Sequence, residues 1–252
     1  MKALVTGASS GIGKAIAYEL ASLGYDLVLV ARRENILLEI KDDLQNKYSI
    51  NVKVEALDLL LEENIVDLFN RNKDVAILIN NAGKGNLGIF DNINIEDDFS
   101  TINLNIVAFH SLLKKYHKLF KENKYGYILN VSSVAGFQPG PKMATYYASK
   151  GYELLLSEAI NYEDKKEKNN VKVCCLCPGS VESEFDKNAN VKHSLPSLKA
   201  NYVAKKAVKG MFKGKEIIFP STSIKLRIIF SRFISRKMVC KIIYKIQSKK
   251  EK

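Results

Sequence analysis

Four cysteines are present in 252 residues, and three of them, Cys174, Cys175 and Cys177, fall on one predicted strand, too close in sequence to bridge one another. Cys240 stands apart. This excludes a disulfide framework, and it argues against a metal site because neighbours on a strand point to opposite faces. Reduced cysteines imply a cytoplasmic location. The three histidines, His110, His117 and His193, lack ligand spacing with acids, and the first two sit seven apart on one helix face, as packing residues do. No metal is expected. No 18-residue apolar run exists, so no membrane span is expected. No secretory leader is expected either, since Met1-Lys2 runs straight into the first strand. Acid is nearly missing from the last fifth of the chain. Residues 200–252 hold 15 Lys/Arg and two acids, Glu216 and Glu251, whereas the rest holds 24 basic and 25 acidic residues.

The 46% apolar content suffices for one large core. Apolar runs of strand length recur near 2–6, 26–31, 51–56, 75–79, 126–131, 171–177 and 216–219. Helical spacing recurs near 12–23, 33–47, 62–71, 96–122, 145–164 and 200–212. Strands alternating with helices over short connections predict an α/β fold. Its sheet would be Rossmann-like, doubly wound and parallel, of about seven strands with helices on both faces. Ligands bind such sheets at the carboxyl ends of the strands. The domain is expected over 1–220, with 221–252 as a C-terminal segment rather than a second domain.

The first strand runs into Thr6-Gly7-Ala8-Ser9-Ser10-Gly11-Ile12-Gly13, followed by Ile16, Ala17, Leu20 and Leu23 at helical spacing. A strand, a turn of small residues and a helix bring backbone close to a pyrophosphate at a helix N-terminus. Gly7, Ser9, Ser10, Gly11, Ile12 and Gly13 are therefore candidate dinucleotide contacts. The second strand ends in Ala31-Arg32-Arg33, where an NAD site wants a carboxylate for the ribose 2′-hydroxyl. Two guanidiniums and no acid suit the 2′-phosphate of NADP(H), with NAD the lesser fit and Arg32 the preferred contact over Arg33.

Asp58, Asn80-Asn81-Ala82-Gly83, Ser132-Ser133 and Pro178-Gly179 fall at other strand ends on the same side. Tyr146 and Lys150, four residues apart, lie at the start of a predicted helix. This set resembles the short-chain dehydrogenase/reductase family in its compact single-domain form, over roughly residues 1–185. The resemblance implies catalytic roles for Asn105, Ser133, Tyr146 and Lys150. It also implies cofactor contacts for Asp58, Asn81, Ala82, Gly83, Tyr146, Lys150, Pro178, Gly179, Val181 and Ser183. Ser183 stands where the family often has threonine. Tyr147 is the wrong distance from Lys150. The implied reaction is reversible hydride transfer between nicotinamide and a ketone or secondary alcohol, with a homodimer or homotetramer as the implied assembly. A non-catalytic dinucleotide-binding sensor, or a membrane-associated protein acting through its basic tail, is the alternative, and the complete tetrad argues against it.

Residues 181–199 read as the loop over the active site, with Phe185, Val191, Leu195, Phe90, Phe137 and Met143 as candidate pocket or packing residues. Beyond 220, Leu226, Ile229, Phe230, Phe233, Ile234, Val239, Ile242, Ile243 and Ile246 recur at helical spacing among Arg227, Arg232, Arg236, Lys237, Lys241 and Lys245. A basic amphipathic segment of this kind either docks its apolar stripe on protein or lies on an anionic membrane through residues 224–250. Nucleic acid is not an expected partner, for no reader motif or interleaved stacking aromatics are present.

Overall fold

The computed structural model describes residues 1–185, 189, 191 and 197–251. Seven strands form one parallel sheet in the order β3-β2-β1-β4-β5-β6-β7. They are β1 Lys2–Thr6, β2 Asp26–Ala31, β3 Val52–Ala56, β4 Ile77–Asn80, β5 Gly126–Val131, β6 Val171–Leu176 and β7 Ile217–Ile218. The strand pattern follows from burial on both faces. Along β1, Ala3 and Val5 enter one core with Ile16, Leu20, Leu29, Val203 and Ala207. Leu4, between them, enters the other with Val28, Leu78, Leu112, Tyr116 and Phe120. Alternate residues thus serve opposite cores, as the two-residue period of a strand requires.

The first core is covered by α1 (Gly11–Ser22), α2 (Glu34–Lys47) and α7 (Ala200–Phe212). The second is covered by α3 (Glu62–Arg71), α5 (Phe109–Glu122) and α6 (Ala144–Lys166). The helix expected over 96–122 is not continuous. It divides into α4 (Ile95–Ile102) and α5, joined by a π-helical segment, Asn103–Ala108. No proline or glycine marks the break. Its cause is tertiary: Asn105, wholly buried in that segment, is tied to the backbone of Lys84 on both sides of its amide. Such π turns widen a helix locally and redirect one side chain.

The C-terminal pattern becomes two helices, α8 (Thr222–Ser231) and α9 (Arg236–Glu251). Ile224 and Ile228 of α8, and Val239 and Ile243 of α9, are buried. Leu226, Ile229, Phe230, Phe233, Ile234 and Ile242 are exposed, Phe233 to 84%. The apolar residues therefore split into a docked stripe and an outward one. No helix among the described residues is long and apolar enough to cross a membrane.

Candidate active site

The carboxyl ends of β1, β2, β4, β5 and β6 gather one polar cluster. At β1, the Thr6 hydroxyl accepts the N–H groups of Asn81 (2.9 Å) and Ala82 (3.0 Å). The Asn81 amide donates in turn to the Thr6 carbonyl (2.8 Å). These bonds lock the turn after β1 against the turn after β4. Gly7 takes φ +65°, which a side chain would strain. Gly13 packs so tightly on the Gly7 carbonyl that a Cβ there would overlap backbone. α1 begins at Gly11 with no side-chain cap from Ser10, so its first turn keeps backbone donors of the kind that hold phosphate. Gly11 faces the side chain of Ser183 across the mouth of the loop.

The two arginines part company. Arg33 Nη2 donates to Ser9 Oγ at 3.0 Å and pairs with Glu184 at 2.7 Å, so it lies against the glycine loop. Arg32 is exposed beside it. Arg33, two residues past the end of β2, is thus the arginine bonded to the glycine loop. Asp58 accepts the N–H of Leu60 (3.0 Å) and its carbonyl accepts from Asn64 (2.8 Å), an arrangement that starts the turn into α3.

Ser133 follows β5. Its Oγ accepts the Ala135 N–H at 3.1 Å and donates to the Pro178 carbonyl at 3.4 Å. Ser132 Oγ donates to the Lys150 carbonyl (2.7 Å), which fixes α6 against the end of β5. On α6, the Tyr146 ring lies against Gly85 and meets Phe185 at a tilt of 46°, centroids 5.1 Å apart. Lys150 Nζ is 5.9 Å from the centre of that ring. Tyr147 turns the other way. Its hydroxyl accepts from Gln247 of α9 (2.7 Å), and burial pushes its pKa up to about 12.

Lys150 is buried, and its Nζ donates to the Val131 carbonyl (3.0 Å) and to both carboxylate oxygens of Glu153 (2.9 Å each). Burial opposes the ammonium, but Glu153 and Tyr146 outweigh it and hold the Lys150 pKa above its usual value. Asn105 donates to Ser149 Oγ (2.9 Å), one residue from Lys150, and its Oδ1 and Lys150 Nζ both approach Gly83. Sequence reasoning missed Glu153, Ser149 and Lys84. A glutamate three residues after a helical lysine reads as a surface ion pair, and only the fold buries it.

Of the expected pocket residues, Phe185 lines the site and Met143 is buried at the start of α6. Phe137 instead stacks on Phe219 (5.7 Å) in a small cluster under the site, and Phe90 is exposed. Val191 is half-buried. Val181 bridges to Leu198 and so closes the base of the 181–199 loop. Leu195 lies outside the described residues. Pro178-Gly179 packs under α8, where Ile224 approaches Gly179.

Residues 1–194 match the family model for short chain dehydrogenase. The chain belongs to the short-chain dehydrogenase family. It is 32% identical to a 7β-hydroxysteroid dehydrogenase of Mediterraneibacter gnavus over 69% of this chain, a match that spans 66% of that protein's length. It is also 32% identical to the NADPH-dependent reductase BacG of Bacillus subtilis, over 79% of each chain. A short-chain dehydrogenase from Sphingobium yanoikuyae, solved in complex with NADPH, superposes with TM-score 0.85 at 28% identity over 94% of both chains. The family membership and the seven-stranded fold agree with the expectations drawn from the glycine loop and the strand alternation.

Proposed function

We propose that the protein is an NADP(H)-dependent oxidoreductase acting on a ketone or secondary alcohol, with Tyr146 as general acid and base. The observation that carries this reading is that Lys150 Nζ lies 5.9 Å from the centre of the Tyr146 ring and, with Asn105, borders Gly83, two residues past Asn81, which is bonded to the glycine loop. The loop suits a dinucleotide: Gly7 and Gly13 keep its backbone tightly turned and bare of side chains, and Arg33 at Ser9 supplies a cation that a 2′-phosphate could use. Gly7, Ser9, Ser10, Gly11, Ile12 and Gly13 would hold the pyrophosphate half. Arg33 and Arg32 would hold the 2′-phosphate, and Asp58 would lie toward the base. Asn81, Ala82, Gly83, Pro178, Gly179, Val181 and Ser183 would border the nicotinamide half. NADPH would supply the hydride that reaches the carbonyl carbon. The NADPH complex of the Sphingobium protein and the NADPH dependence of BacG favour the phosphorylated cofactor over NAD.

The chain's own part is to handle the proton. A free tyrosine has a pKa near ~10, high for proton exchange at neutral pH. An ammonium close to the phenol stabilises tyrosinate and brings the proton within reach. Ser133 can turn its hydroxyl from the long bond to Pro178 toward a substrate oxygen and hold it against Tyr146. Asn105 braces Ser149 and the Lys84 backbone, so that the Lys150 turn of α6 is held rigidly. Phe185 over the Tyr146 ring makes the mouth apolar, which suits a carbonyl flanked by apolar groups. The test is a fluorescence titration with NADPH and NADH. NADPH is expected to bind at least ~10-fold tighter, which is about 1.4 kcal/mol. Binding of neither dinucleotide would sink the proposal.

We further infer that the outward face of α8 and α9 meets an anionic lipid surface. Leu226, Ile229 and Phe230 share one exposed arc of α8, opposite the docked Ile224 and Ile228, and the exposed Phe233 follows in the turn after it, with Lys225, Arg227 and Arg232 around the patch. An exposed apolar patch with a basic rim marks an interaction site. Residues 217–250 contain no acid, so pairing this face with a second copy would set like charges together. An anionic bilayer attracts each basic residue by about 1 kcal/mol. The protein is expected to sediment with vesicles containing phosphatidylserine, not with pure phosphatidylcholine vesicles, and to be released by salt or by Phe230→Ser/Phe233→Ser. No sedimentation, or a dimer that dissociates in that variant, would contradict the inference.

A further inference from the structure

The Lys150–Glu153 pair is an unusual neighbour for a proton-donating tyrosine. Both side chains are nearly inaccessible, at 6% and 1% exposure. A charge pair without water repays its desolvation only through close geometry. Here both carboxylate oxygens sit 2.9 Å from Nζ, and the Val131 carbonyl takes a further donor. The three protons of the ammonium are thus engaged on the side of β5 and the next turn of α6. The charge of Lys150 acting on Tyr146 is offset by an opposite charge one helical turn away.

The groups facing this pair are few. Tyr146 lies one turn back on α6, whereas Glu158, further along the same helix, acts on Cys177 rather than on the pair. From β6 come the buried Cys175 and Cys177, their Sγ atoms 3.8 Å apart. Burial raises the Cys177 thiol well above its ordinary pKa, so it stays neutral. Asn105 approaches from the π-helical segment and carries no charge. Glu153 is therefore the one anion touching Lys150 among the described residues.

We propose that Glu153 is a positioning residue that fixes the Lys150 ammonium and cancels much of its charge, so that Tyr146 stays a proton donor, and carbonyl reduction keeps its rate, to higher pH than a bare ammonium would allow. The proposal rests on the function argued above for Tyr146. With the carboxylate present, a phenol beside Lys150 keeps its proton to higher pH than it would beside a bare ammonium. Removing the negative charge lowers the pH at which the Tyr146–Lys150 couple gives up its first proton, whichever member loses it. Burial pushes the Glu153 carboxyl up to about 7, against the pull of Lys150, so its charge is sensitive to pH in the working range.

The test compares wild type, Glu153→Gln and Glu153→Asp. Tyrosines labelled at Cζ are followed by carbon NMR in the protein without cofactor, with Tyr146→Phe used to assign the signal. In Glu153→Gln the first titration of Tyr146 is expected to fall by about one unit or more. The alkaline limb of NADPH-dependent ketone reduction should fall with it. Glu153→Asp, which keeps the charge, should restore both toward wild type. A Tyr146 titration unmoved in folded Glu153→Gln would overturn the proposal. If Glu153→Gln does not fold, the wild-type Tyr146 signal decides: a second inflection as Glu153 takes up its proton supports the coupling, and a single inflection overturns it. If the protein consumes no NADPH with any ketone, the reductase reading fails, while the NMR titration still tests Glu153.

Discussion

Tyr146→Phe is expected to lower the rate of NADPH-dependent carbonyl reduction by about 10²–10⁴-fold, the usual contribution of a positioned general acid. NADPH affinity should change little, because the substitution removes only a hydroxyl. The ring still packs on Gly85 and Phe185, and Lys150 keeps Val131 and Glu153 as partners. Steady-state rates set beside a fluorescence titration separate the two quantities. Tyr147→Phe supplies the contrast within the same helix turn. It deletes the bond accepted from Gln247 of α9, on the side away from Lys150, and should leave turnover near wild type.

Arg33→Ala is expected to weaken NADPH binding by roughly 10- to 150-fold, the loss of one hydrogen bond to a charged group at about 1.5–3 kcal/mol. NADH binding should be unchanged, so the preference between the two cofactors collapses. The Arg33–Glu184 pair is solvent-exposed on both sides, and such pairs contribute little. A 2′-phosphate can therefore displace Glu184 at small cost. Arg32→Ala should have the smaller effect, since Arg32 is exposed beside the loop rather than bonded across it. Equal losses from the two variants would show that the phosphate sits between them.

Most of the architecture could be read from the chain because a parallel sheet buried on both faces leaves a plain signal. Lys2-Ala3-Leu4-Val5 and Leu27-Val28-Leu29-Val30 are apolar at every position that a core must fill. The glycine loop was legible for a similar reason: close backbone approach at Gly7 and Gly13 admits almost no other residue. The π-helical break at Asn103–Ala108 was not legible. Its residues keep helical spacing, and the cause is a hydrogen bond to Lys84, 21 positions earlier. That Arg33 is the arginine bonded to Ser9 of the loop was not legible, because a strand's last residue does not reveal how the chain turns afterwards. Glu153 was missed because its spacing from Lys150 is that of countless surface pairs, and burial is a property of the fold. The C-terminal stripe was read as a single face, whereas α8 docks one side and exposes the other.

The central claim is that this chain moves hydride from a nicotinamide to a carbonyl carbon at the Tyr146 site. The most direct measurement uses NADPH deuterated at nicotinamide C4, a panel of apolar ketones, and mass spectrometry of the alcohol formed. With both C4 hydrogens of NADPH replaced by deuterium, one deuterium is expected on the carbinol carbon of the product with wild-type protein, and label transfer reduced by at least about 100-fold with Tyr146→Phe. Tight NADPH binding with no label reaching any carbonyl, or equal transfer by the Tyr146→Phe protein, would contradict the central claim.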